Sequence, residues 1–156
     1  MPEWYLPLKW IHIMSAMLLF GTGLGTAFHF WFTCRGGEAS AVAASARATV
    51  AADFAFTLPA AIVQPMSGLL LARIAGYPFD SGWLLASYAL YVLAGACWIP
   101  VVFIQVRLRD IATARARQGL ELGHDFRRLY RAWFWLGWPA FVSMVAILWL
   151  MVSRPA

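Results

Sequence analysis

Charge is scarce in this chain. Seven of 156 residues are acidic and twelve are Lys or Arg, so 12% are charged, against about a quarter in an ordinary soluble domain. So few ionic groups cannot build a water-facing surface, which excludes a soluble globular protein. Cysteine is equally sparse. Cys34 falls at the end of one apolar run and Cys97 near the middle of another, a difference in depth that a disulfide cannot bridge, so free thiols are expected. The chain also lacks a CxxC pair, a CxxCH haem-attachment sequence, an HExxH and a phosphate-binding glycine loop after a strand, which removes the usual soluble-enzyme chemistries. The glycines of GTGLG lie inside an apolar run and are expected to serve helix packing. The net charge of +5 comes from basic residues in connectors and not from a continuous patch, so no nucleic-acid partner is expected.

What the chain has instead is hydrophobic length. Hydrophobic types make up 62% of it, and a helix needs about 20 such residues to cross a hydrocarbon core of roughly 30 Å. Spans are expected over about residues 7–33, 50–75, 82–107 and 129–153, which predicts one all-α, polytopic domain over 1–156: an antiparallel four-helix transmembrane bundle in a lipid bilayer. The start MPEWYLPLKW lacks a basic signal-peptide region, so the first helix is expected to remain as a span. The small-residue segment Cys34–Thr49 reads as a connector with room for a short interfacial helix, GYPFDSG (76–82) as a tight turn, and Arg107–Arg128 as the only long polar loop. Nine basic residues (Arg35, Arg47, Arg107, Arg109, Arg115, Arg117, Arg127, Arg128, Arg131) lie on one side and three (Lys9, Arg73, Arg154) on the other. The positive-inside rule then predicts a bacterial inner-membrane protein with both termini in the periplasm.

Polar residues follow helical stripes. At about 100° per residue, His12, Ser15, Leu19, Thr22, Thr26 and His29 share one face of the first span, with Gly21 and Gly25 beside it for close helix approach. Asp53, Thr57, Ala60, Gln64, Ser67 and Leu71 share a face of the second. Such groups need partners in hydrocarbon, so both stripes are expected to face inward, with a His29–Asp53 hydrogen bond at the inner boundary. Pro59 and Pro65 free backbone carbonyls for Gln64 or a neighbouring helix to satisfy. Ser87, Tyr91, Trp98 and Gln105 line up in the third span, and Arg131, Trp135, Trp138, Val142 and Trp149 in the fourth, where some Trp residues read as interface anchors and Pro139 as a kink.

His12 is the sharpest chemical candidate. An inward-facing imidazole can bind haem iron through one nitrogen while the other is held by a hydrogen bond; alternatively it is a packed neutral histidine bonded to a hydroxyl of the next helix. Ser15, Gln64, Ser67 and Tyr91 complete the candidate cofactor site. His12 and His29 are about 25 Å apart along a straight helix and cannot share an iron, and His124 reads as a solvated loop residue. A haem here is five-coordinate or takes Met66, Met144 or a Tyr as second ligand. His29 and Asp53 read as a proton relay or a structural pair, and Arg127, Arg128 and Arg131 as topology determinants or a site for anionic head groups.

The segments LKWIHIMSAMLLFGTGLGTAF, ADFAFTLPAAIVQPMSGLLLA with GYP after it, WLLASYALYVLAGACWIPVVFIQVRLRDIA and RAWFWLGWPAFVSMVAILWLMV resemble the predicted integral membrane family called domain of unknown function 2269, over nearly the whole chain. More distantly the layout is similar to HemJ-type protoporphyrinogen oxidases, small four-helix proteins with an early haem-binding His where His12 falls. Their early third-helix lysine corresponds to Ser87 here, and the Asn-Glu before their fourth-helix proline to Leu136 and Gly137. The resemblance therefore implies haem b on His12 without the residues expected for protoporphyrinogen oxidation. The leading expectation is membrane electron transfer or other redox chemistry, with a quinone or membrane redox partner. The alternatives are a non-catalytic accessory or assembly subunit that docks a larger membrane partner, and a small homo- or hetero-oligomeric transporter using Asp53, His29 and Gln64.

Overall fold

The computed structural model describes residues 3–154 and is all helix and turn over that range. Helix α1 spans Tyr5–Gly36, α2 Ala39–Ala52, α3 Leu58–Ile74, α4 Gly82–Arg117 and α5 Gly123–Ser153. A π-helical turn, Asp53–Thr57, joins α2 to α3 as one continuous rod, Ala39–Ile74. Four helical rods are thus long and apolar enough to cross a membrane, as the hydropathy predicts.

The rods are longer than the expected spans. At 36 residues, α4 measures about 54 Å, well beyond a hydrocarbon core of roughly 30 Å. The expected polar loop shrinks accordingly: α4 runs through Arg117 and α5 starts at Gly123. Gly119, at φ 65°, lets Leu120 N–H reach back to the Arg115 carbonyl and Gly119 N–H to Ala116, so helix α4 closes in a Schellman cap. Gly76, at φ 73°, does the same for α3, with Tyr77 N–H on Ala72 and Gly76 N–H on Arg73. Polar composition marked where the helices leave the membrane, not where they stop.

The small-residue segment after Cys34 is likewise no loose connector. Helix α2 buries Val42, Ala43, Ser45, Ala46, Thr49 and Val50, because side chains this small let α1 and α4 approach it together. The core gathers at this connector end, where Phe30, Val42, Ala46, Leu108, Phe126 and Trp133 are buried in one cluster. Phe30 meets Trp133 edge-on, with ring centroids 5.1 Å apart. At the opposite, terminal end α1 packs on α3 and α4 on α5, and besides Leu84 and Ile147 the buried positions include the small or hydroxyl-bearing Ser15, Ser67, Ala72, Ser87 and Ser143.

Large apolar side chains cover the outside, among them Val92, Phe103, Trp135 and Trp149. The fourth-span stripe of Trp135, Trp138, Val142 and Trp149 is therefore a lipid-facing one, while Phe126, Trp133, Ser143 and Ile147 face inward. Gly21 and Gly25 meet no neighbouring atom within 4 Å of where a Cβ would stand, so the expected glycine contact is not made within the chain. Cys34 and Cys97 are free thiols, both half-buried.

Candidate functional site

Three of the five expected cofactor residues assemble around His12. Its Nδ1 lies 2.9 Å from Ser67 Oγ and its Nε2 3.3 Å from Gln64 Nε2. Ser15 Oγ donates to Gln64 Oε1, and Ser67 Oγ to the Val63 carbonyl at 2.7 Å. One proton assignment satisfies all of these contacts. The Gln64 amide donates to a bare Nε2, the proton sits on Nδ1, and Nδ1–H donates to Ser67. The imidazole also turns its Cε1 edge to α3, where a Cβ added at Gly68 would stand 3.0 Å from His12 Cε1. Register explains the meeting: α1 and the Ala39–Ile74 rod run antiparallel from a tight turn, so the early part of one faces the late part of the other.

The fifth, Tyr91, bonds elsewhere. Tyr91 Oη donates to the Ala61 carbonyl at 2.6 Å, the group that Pro65 leaves without an amide partner. Met66 is 60% exposed and faces outward from α3, away from the His12 group. Met144 is on α5, three residues from Phe141, which packs on Phe20; that places Met144 nearer the depth of Met17 than of His12. Among the described residues no three His, Cys, Asp or Glu side chains gather as a metal site. In the same half of the bundle, Tyr88 Oη is buried with no hydrogen-bond partner.

The expected His29–Asp53 pair does not form. His29 Nδ1 lies 2.9 Å from Ser45 Oγ instead, and Asp53 lies about 12 Å further along the rod. The reason is the helical connector: with α2 starting at Ala39, Asp53 is carried from the inner boundary into the bundle. There it is 4% exposed. With the Gln105 amide nitrogen facing Asp53, it donates to Oδ2 at 2.7 Å, and the Gln105 oxygen accepts from Trp133 Nε1 at 3.2 Å. This strut ties the π turn to α4 and α5. Trp133 was not among the candidates; in an aromatic-rich helix nothing in its spacing separates an inward indole from an interface anchor. Thr57 Oγ1, one turn along, is buried without a partner. The π turn has a local cause, since Pro59 follows it: proline supplies no N–H and its ring crowds the carbonyl four residues back, which a wider turn relieves.

Four apolar rods and an outward apolar surface define a multi-pass integral membrane protein. The chain belongs to the family DUF2269, described as a predicted integral membrane protein, whose model matches residues 6–155. No curated protein and no solved structure matches it.

Proposed function

We propose that this is a small inner-membrane redox protein that binds haem b, or a related porphyrin, through His12 and exchanges electrons with a quinone or a membrane partner. The observation that carries this reading is the orientation of the imidazole. A histidine that ligates a metal through one nitrogen characteristically donates the other N–H to a fixed acceptor, and His12 Nδ1–H has Ser67 Oγ at 2.9 Å. Nε2 is left with one long contact, 3.3 Å to Gln64, which a metal bond can replace. The orphaned Tyr88 hydroxyl is a polar group available to a ligand in that half of the bundle. When bound, haem supplies one-electron transfer. Ser67 holds the imidazole plane, Gln64 gives way or turns to a ligand edge, and the apolar helices keep water out. The excess of basic residues at the connector end supports an orientation with that end in the cytoplasm and the His12 half toward the periplasm of a bacterium.

The test is an absorbance spectrum, oxidised and dithionite-reduced, of protein purified in detergent from haem-replete cells. A Soret band that disappears in His12→Ala is expected. A colourless wild-type protein, or an unchanged haem content in His12→Ala, overturns the reading.

One set of contacts favours a second reading, a non-catalytic accessory or assembly subunit. Both His12 nitrogens already have partners within the chain, and the Gly21–Gly25 face stays open. A colourless protein that co-elutes with a fixed membrane partner, and loses it on Gly21→Leu, is what this reading expects.

A further inference from the structure

Two grooves open at the connector end, and their charges differ. The first, of about 620 Å3 between α2 and α4, is lined by Arg47, Arg109, Asp110, Thr113 and Arg117 above a floor of Val50 and alanines. The second, of about 530 Å3 between α4 and α5, is lined by Arg107, Asp110, Asp125 and Arg128. In the first, three guanidiniums face one carboxylate, and Asp110 is taken up by its neighbour Arg109 at 2.8 Å. In the second, two guanidiniums face Asp125 and the same Asp110, already paired with Arg109. With Asp110 committed to Arg109, Arg47 and Arg117 stand uncompensated in the α2–α4 groove, whereas in its neighbour Asp125 leaves only one guanidinium over.

We infer that the α2–α4 groove binds the phosphate ester of an anionic phospholipid through Arg47, Arg109 and Arg117. Guanidinium matches phosphate oxygens geometrically and never loses its charge. The Thr113 hydroxyl is turned onto the Arg109 carbonyl at 2.7 Å, so the arginines are the groove's donors. Two features point to a lipid and not to a soluble phosphate. Arg109 lies three residues, about 5 Å, beyond the apolar run that ends at Val106, which is the level of head groups. Below the arginines the second rod continues as exposed apolar surface at helical spacing, Ala51, Phe54 and Leu58, and α4 adds the exposed Phe103, in line with Asp110. A head group held by the arginines has a track for its acyl chains. The site is independent of His12 and of any cofactor there.

Native mass spectrometry in neutral detergent tests this with three probes: dioctanoyl phosphatidylglycerol, dioctanoyl phosphatidylcholine and inorganic phosphate. Wild type is expected to bind phosphatidylglycerol on the order of tenfold more tightly than phosphatidylcholine, and R47Q/R117Q to lose most of that preference. R107Q/R128Q, which alters only the less basic groove, keeps it, and so does R47K/R117K in large part. Each single variant, R47Q or R117Q, shows part of the loss, so the result does not depend on the double variant folding. The inference is overturned if R47Q and R117Q bind phosphatidylglycerol as wild type does, or if R107Q/R128Q loses as much as R47Q/R117Q. Inorganic phosphate binding as tightly as phosphatidylglycerol overturns the lipid assignment.

Discussion

Tyr91 of α4 supplies the hydrogen bond that Pro65 of α3 cannot. Proline has no N–H for the carbonyl four residues back, and that carbonyl, on Ala61, accepts from Tyr91 Oη at 2.6 Å. In hydrocarbon no water offers an alternative. Tyr91→Phe is expected to destabilise the protein by about 1 kcal/mol, in the range of interhelical bonds in membranes. Pro65→Ala restores an amide partner for Ala61, so the two changes should couple: Tyr91→Phe costs less in the Pro65→Ala background. A double-mutant cycle of unfolding in mixed micelles measures this; equal losses in both backgrounds would show that the Tyr91 bond does not serve the proline gap.

The contact between Gly68 and His12 predicts a second coupling. With the imidazole 3.0 Å from the place of a Cβ, Gly68→Ala must push the ring off α3 and disturb its bonds to Gln64 and Ser67, at a cost of about 1–3 kcal/mol. In His12→Ala the obstruction is gone, and Gly68→Ala should then be close to neutral. Thermal unfolding of the single and double variants separates the two outcomes.

What was legible in the sequence was the hydropathy and the inward stripes. His12, Ser15, Gln64 and Ser67 share faces at helical spacing, and antiparallel spans joined by a turn must bring such faces together. The carbonyl freed by Pro65 and its rescue by a neighbouring helix could be anticipated on the same footing. Register was not legible. Ala, Ser and Thr between Cys34 and Thr49 suit a loop by polarity and a closely packed helix by size, and only the packing of α2 against α1 and α4 decides between them. That one choice moved Asp53 by about 12 Å and gave it Gln105 for a partner in place of His29. Helix continuation past Arg107 was hidden for a related reason, since an arginine-rich segment is good helix as well as good loop.

The strut from Asp53 to Trp133 makes a graded prediction. Asp53→Asn keeps an oxygen for the Gln105 amide and should change stability by less than about 0.5 kcal/mol. Asp53→Ala leaves that amide without an acceptor, and Gln105→Ala strands the Asp53 carboxyl and the Trp133 N–H together. Each is expected to cost about 1–3 kcal/mol, with Gln105→Ala the larger. Indole fluorescence of Trp133 should shift in Gln105→Ala and not in Asp53→Asn; the same shift in both would mean that Gln105 does not hold the indole.

Phenylalanines of α1 divide sharply by the face they occupy. Phe30 is 1% exposed and meets Trp133 and Tyr130, with centroids 5.1 and 6.3 Å away, whereas Phe28 and Phe32, two residues to either side, are 61% and 65% exposed. In a bilayer, moving an apolar side chain from lipid to protein gains little by transfer, so Phe30 contributes through close packing and aromatic geometry. Phe30→Ala opens a cavity at the junction of α1, α2 and α5 and should cost about 3–5 kcal/mol. Phe28→Ala and Phe32→Ala exchange protein surface for lipid contact and should each cost less than about 1 kcal/mol. Unfolding free energies of the three variants in one detergent test the orientation of α1 directly. Equal losses at all three positions would contradict a helix that turns Phe30 inward, and with it the register that brings His12, about five turns away on the same rod, to Gln64 and Ser67.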